Sequence, residues 1–179
     1  SGLIKINISN NEITRYSNNL DNKNSLPGNR VNDIMKDSRG NLWVCTNQGL
    51  AKYNYKTNNF ITYSNEIYDK TSLIANDVIS IIEDKSGLIW LGTYAGISMF
   101  DPDNEIQHYK TNPSDENSIN SNLIQGIYED NEGLLWVGTN SKGINIIDRE
   151  KNIIRRIDKE HNEFTLSDYS INDITGKDE

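Results

Sequence analysis

The sequence predicts an all-β fold: a fragment of a β-propeller with about four equivalents of a four-stranded antiparallel blade. Three observations predict it. The run Asp84-Lys85-Ser86-Gly87-Leu88-Ile89-Trp90-Leu91-Gly92-Thr93 has near copies at Asp37 to Thr46 and Asp130 to Thr139. Trp43, Trp90 and Trp136, all the tryptophans of the chain, sit at one position of this repeat, 47 and 46 residues apart. Finally, the apolar runs are short, β-branched and punctuated by Gly, Asn and Asp, with no helical periodicity. Short strands repeating every 40–50 residues or so are the signature of a propeller blade.

Residues 1–16 read as the end of a blade, with strands Leu3-Ile4-Lys5-Ile6 and Ile13-Thr14-Arg15-Tyr16 around a polar turn. Residues 31–63, 78–109 and 124–157 read as three blades, and 171–179 as the start of the next. In the second of the three, the expected strands are Val78 to Glu83, Leu88 to Thr93, Ile97 to Asp101 and Ile106 to Tyr109. Asp-x-x-Gly joins the first two strands of each blade. Gly40, Gly87 and Gly133 supply the positive φ of a tight turn, and Asp can hydrogen-bond the turn's own backbone. The second strands carry apolar side chains on both faces, as a sheet packed between two neighbours requires. Polar linkers follow, ending in Ser25-Leu26, Ser72-Leu73, Ser118-Ile119 and Thr165-Leu166. New strands begin five residues after each of these apolar residues, at Val31, Val78, Ile124 and Ile171.

With 179 residues, 35% of them hydrophobic, and a formal net charge of −8, the chain is long enough for one domain with a real core. The acidic balance and the absence of a Lys/Arg cluster argue against nucleic acid as a partner. No apolar run is long enough to insert in a membrane. Ser1-Gly2-Leu3 aligns with Gln48-Gly49-Leu50 in mid-repeat, so the chain reads as cut from a longer protein. The single cysteine, Cys45, replaces Gly92 and Gly138 and is expected to be a small buried thiol.

Asp-x-x-Gly-x-x-Trp-Val/Leu-Gly-Thr, then Gly-Leu/Ile and a closing Phe/Ile-x-x-Tyr, resembles the two-component regulator propeller repeats of bacterial histidine kinases and related signalling proteins. Cys45, the extra residue in Asn140-Ser141-Lys142, and Ile147 and Ile157 in place of aromatics are departures from the pattern. The resemblance implies an extracytoplasmic (periplasmic or extracellular) sensor region of a membrane-anchored protein. Such a region binds a ligand, often an oligosaccharide, signals through the arrangement of a dimer, and uses no catalysis and no cofactor.

The residues point the same way. His108 and His161 are far apart, which leaves no His/Cys zinc cluster, and no nucleophile elbow is present. Asp37, Asp84 and Asp130 recur at a turn and so read as structural, and Asp101-Pro102-Asp103-Asn104-Glu105 lacks the ligand spacing of a calcium loop. Trp43, Trp90 and Trp136 are expected in the core. In a four-stranded meander the fourth-to-first linkers and the second-to-third turns share one face, and variable loops on a rigid scaffold are where specificity sits. Tyr94 is the candidate stacking platform there, with Asn47, Gln48, Asn140 and Lys142 as candidate hydrogen-bond donors. The incomplete end blades are expected to pair with other blades or with a second copy of the chain. Two other readings compete: a scaffold that docks a protein partner, and a propeller lyase or glycosidase.

Overall fold

The computed structural model describes residues 2–101, 106–159, 166 and 168–176. Two strands, β1 (Leu3–Asn7) and β2 (Glu12–Tyr16), form a small hairpin sheet. Three four-stranded sheets follow. The first is β3 (Val31–Lys36), β4 (Leu42–Thr46), β5 (Gly49–Asn54) and β6 (Asn59–Tyr63). The second is β7 (Val78–Glu83), β8 (Ile89–Thr93), β9 (Gly96–Phe100) and β10 (Gln107–Tyr109). The third is β11 (Ile124–Glu129), β12 (Leu135–Thr139), β13 (Ile144–Asp148) and β14 (Ile153–Ile157). Every strand pairs antiparallel with its neighbour in sequence. Between sheets, β7 touches β3 and β4, and β11 touches β7 and β8. The sheets therefore stack face to face and converge along their first strands, which is propeller architecture.

The motif owes its shape to one carboxylate per blade. In the first, Asp37 accepts the Asn41 amide at 2.7 Å with Oδ1 and the Trp43 indole N–H at 2.8 Å with Oδ2. Asp84 does the same for Leu88 and Trp90 at 3.0 and 2.6 Å, and Asp130 for Leu134 and Trp136 at 3.0 and 2.7 Å. Gly40, Gly87 and Gly133 complete these turns at φ of 84°, 84° and 80°, where a side chain is strained. The turn aspartates are thus the structural elements their recurrence predicts, each holding a turn and a core tryptophan together.

Trp43 and Trp90 are fully buried between successive sheets. Trp136 departs from the expectation that all three tryptophans are core: it is half-buried, because no described sheet packs against its face. A second departure lies at Ile171 to Ile174, expected as a strand, where no ladder forms. No described second strand is there to pair with it. The segment nevertheless takes a first strand's place: the Ile171 amide donates to the Thr139 carbonyl at 2.9 Å, and Ile171 packs over Gly138 as Ile124 packs over Gly92.

That packing explains the Gly of Gly-Thr. A Cβ on Gly92 would lie 2.7 Å from the Ile124 Cγ2 and 2.5 Å from the Ser80 Oγ, and one on Gly138 would lie 2.6 Å from the Ile171 Cγ2. Where the chain has Cys45 instead, the residue in the same buried cluster is Val78, smaller than isoleucine. Extra bulk on one sheet is offset by less on the next. Cys45 is buried and free, and burial together with the Asp33 charge pushes its thiol well above its ordinary value.

Polar staples repeat between sheets. Glu83 accepts the Ser38 amide and hydroxyl at 2.6 Å each, and Glu129 accepts the Lys85 amide at 2.6 Å. Asp33 accepts the Ile81 amide at 3.0 Å across the first strands, whereas the shorter Ser80 at the equivalent position has a buried hydroxyl without a hydrogen-bond partner among the described residues. Arg149 is inserted between the second and third sheets. It pairs with Asp84 and with Glu129, the latter at 2.6 Å, and its guanidinium lies 5.7 Å from the Trp90 ring centre.

Three outcomes are expected. Gly92→Ala should lower the unfolding free energy by about 1–3 kcal/mol, measured by urea denaturation, because the Ile124 side chain must move. Arg149→Met should cost on the order of 3 kcal/mol, since the Asp84 and Glu129 carboxylates, 0% and 7% exposed, lose their cation. The third concerns pH. Burial would raise Asp84, but hydrogen bonds from Ser86, Trp90 and Leu88 and the Arg149 charge outweigh it and hold the carboxyl below 3.8. Asp37 and Asp130 are depressed for the same reason. A depressed folded value contributes stability that is present above the unfolded value and lost as pH falls through the folded one. The urea midpoint should therefore hold down to about pH 4 and fall steeply below it, with a shallower fall in Asp84→Asn.

Candidate functional site

The linkers from one sheet to the next are built loops. Asn29, Asn76 and Asn122 stand at one repeat position, and each side-chain oxygen accepts an amide at the start of its linker: Asn18 at 2.8 Å, Asn65 at 2.6 Å and Thr111 at 2.8 Å. Ser25, Ser72 and Ser118 tie the middle of each linker, accepting the amides of Asn19, Glu66 and Asn112 at 2.8–2.9 Å. Leu26, Leu73 and Ile119, next in sequence, are buried and anchor the linkers to the core. The second-to-third turns join the same face: the Asn47 amide donates to the Arg30 carbonyl at 3.1 Å, and the Asn140 amide to the Leu123 carbonyl at 3.0 Å. This is the face on which the meander topology gathers those loops.

Two hollows lie on it. The more enclosed, about 370 Å³, is lined by the linker residues Thr111, Asn112, Pro113, Ile119 and Asn120, by Ser141 and Lys142 of the β12–β13 turn, by Arg156 and Asp158 at the end of β14, and by Lys159 and Tyr169. Asn120 braces it by donating to the Lys142 carbonyl at 2.7 Å and to Asp158 at 3.3 Å, while exchanging hydrogen bonds with the buried Asn145 at 2.9 Å. Arg156 crosses beneath the linker and donates to the Ser118 carbonyl from Nε at 3.1 Å and from Nη2 at 2.8 Å. The second, shallower hollow of about 600 Å³ is lined by Gly2, Asn18, Asn29, Arg30, Val31, Asn47 and Gln48. Its cation is committed: Arg30 pairs with Asp77 at 2.8 Å.

The structure divides the residues singled out in the sequence. Lys142 lines the enclosed hollow, and Asn47 and Gln48 line the shallow one. Tyr94, 43% exposed in the β8–β9 turn, lines neither, and Asn140 lines neither, with its side-chain oxygen 3.4 Å from the Ser170 hydroxyl. They do not form one groove, because they are spread over the second-to-third turns of three successive blades. Sequence reasoning missed Arg156, whose place is taken by Thr62 and His108 in the other two complete blades, and the anchoring asparagines, which it could have found, since Asn29, Asn76 and Asn122 are 47 and 46 residues apart.

On the opposite face a further hollow, about 680 Å³, surrounds the Arg149 pairs and is lined by residues of the Asp-x-x-Gly turns, including Lys85 and Gly133. No group of three or more His, Cys, Asp or Glu side chains among the described residues is placed to hold a metal ion. His108 bonds the Ser72 carbonyl at 2.9 Å; His161, Thr165 and residues 102–105 of the acidic turn lie outside the described residues.

Comparison with known proteins locates the repeats. The sequence pattern of the two component regulator propeller matches residues 25–48, 72–95 and 118–141. Each match runs from the Ser-apolar anchor of a linker to the turn after the second strand. No curated protein matches the chain. Among solved structures, the extracellular domain of a protein of B. thetaiotaomicron, described as a hybrid two component system, superposes with a TM-score of 0.75 at 21% identity, over 97% of this chain and 22% of that one. PorZ of Porphyromonas gingivalis, described as a bacterial surface component of the type-IX secretion system, gives 0.65 at 20% identity over 97% and 27%. The virginiamycin B lyase of Staphylococcus aureus gives 0.59 at 20% identity over 86% and 47%. At these identities the likeness is one of fold, and the chain spans about a fifth of the length of the first. Each complete sheet contains one such match, over the end of its linker and its first two strands, so the chain carries three two component regulator propeller repeats.

Proposed function

We propose that the chain is part of the sensing propeller of a bacterial two-component-type signalling protein, exposed outside the cytoplasm, and that it binds an oligosaccharide without transforming it. The observation that carries this reading is the enclosed hollow on the linker face. Its walls are hydrogen-bonding side chains held by a braced loop, in a chain that carries two component regulator propeller repeats and shares its fold with the extracellular domain of a hybrid two component system. A saccharide is a ligand made of hydroxyls around small apolar faces. Polar side chains placed on a preformed concave wall are what fixes such a ligand in orientation. The hydrogen-bonding groups at the hollow belong to loops, while the carboxylates that recur in the fold are held at turns as acceptors, which favours binding over acid–base chemistry.

The likeness to a lyase propeller favours an enzyme as the second reading; in that case the chain would consume the sugar it binds. A thermal-shift screen of the full chain against neutral and acidic oligosaccharides separates the cases. A sensor is stabilised by RT ln(1 + [L]/Kd), about 2.7 kcal/mol at a hundredfold excess over Kd, and leaves the sugar intact by chromatography. Lys142→Ala should abolish the shift, and Tyr94→Ala should leave it unchanged. Absence of a shift with every sugar would reject the saccharide reading in favour of a protein-docking scaffold.

A further inference from the structure

We infer that the enclosed hollow selects an acidic oligosaccharide, one presenting a carboxylate or sulfate group to Lys142 and Arg156; this rests on the saccharide-binding reading above. Three donor-only groups at its wall make no hydrogen bond to any described residue: the Lys142 Nζ, the Arg156 Nη1 and the Asn112 Nδ2. Neither Lys142 nor Arg156 has an ion-pair partner among the described residues. Arg156 is instead held by neutral acceptors, the carbonyls of Ser118 and Asp115 and the Ser118 hydroxyl, so its full positive charge remains at the hollow. Asp158 is the one carboxylate among the described lining residues, and it accepts from Asn120.

The contrast with the rest of the chain sharpens the point. The protein carries a net charge of −8, and the one other half-buried arginine among the described residues, Arg149, is neutralised by Asp84 and Glu129. A half-buried guanidinium without a counter-ion is costly unless a ligand supplies one. The hydroxyls of Thr111 and Ser141, also without a hydrogen bond to a described residue, remain for sugar hydroxyls. A neutral sugar would meet a wall with more donors than it needs; an acidic one supplies acceptors and charge together.

Isothermal titration of the full chain with trigalacturonate, a neocarrabiose sulfate and neutral galactotriose tests this and separates carboxylate from sulfate. At least one acidic ligand should bind about tenfold or more tighter than galactotriose, the size of one charge-assisted hydrogen bond. That advantage should shrink as salt rises to about 0.5 M. Lys142→Gln should remove most of the advantage and leave the melting temperature of the free protein unchanged, because the Lys142 Nζ makes no hydrogen bond or ion pair with a described residue. Arg156→Gln should do the same to binding with some loss of stability, since it frees the linker. Galactotriose binding as tightly as both acidic sugars would overturn the acidic selectivity while leaving the saccharide reading in place. Acidic binding untouched by both substitutions would also overturn it, placing the ligand elsewhere. Binding of none of the three would overturn both this inference and the saccharide reading.

Discussion

Everything in this structure depends on a carboxylate that accepts two kinds of donor at once. In each complete blade the turn aspartate takes a backbone amide of its own turn and the indole N–H of the tryptophan six residues on. The bond solves a problem that burial creates: an indole N–H carried into a sheet-to-sheet core must find an acceptor. It also fixes the hairpin register, because the turn can close only where the indole reaches the carboxylate. The three aspartates therefore stay ionised at lower pH than free carboxylates, and the motif is a device of folding rather than of chemistry.

The blades are held to one another by contacts that repeat with the same period. A glutamate at the end of a first strand accepts the amide after the preceding blade's turn aspartate, as Glu83 does for Ser38 and Glu129 for Lys85. Glycine at 92 and 138 leaves room for the isoleucine of the next first strand, and the pair of Cys45 with Val78 shows that the sum of volumes, not the residue type, is what the interface specifies. Nearest-neighbour contacts of this kind let each sheet depend on its two neighbours. Trp136, on a face that no described sheet covers, is accordingly more exposed than its two counterparts.

Against this regular frame the linker face is where the repeats diverge. Serine and asparagine anchors hold all three linkers in the same way, so the differences lie in what the linkers carry. The last complete blade adds a residue in its second-to-third turn and places an arginine under its linker, and the enclosed hollow forms there. Rigid, self-bonded loops bring side chains to a ligand with little ordering left to do.

The amino-acid sequence by itself determined the period, the strands and the turns, because each rests on residues close in the chain. Alternating apolar side chains, an Asp-x-x-Gly turn and a tryptophan at fixed spacing act over a few residues and recur in register. From the same periodicity the linker anchors at Asn29, Asn76 and Asn122 were legible as well, once their spacing is compared. The site was legible only in part. Meander topology assigned the face and placed Lys142 on it, but Tyr94, Asn47 and Gln48 stand in other blades, and sequence spacing carries no measure of distance around a ring. Which side chains keep a free donor was decided by tertiary structure alone. Arg149 and Arg156 are both arginines in the last blade; one lies between sheets against two carboxylates, the other under a linker against carbonyls. The charge of a guanidinium is written in the sequence, whereas its neutralisation depends on which groups the packing of distant segments brings within hydrogen-bond reach.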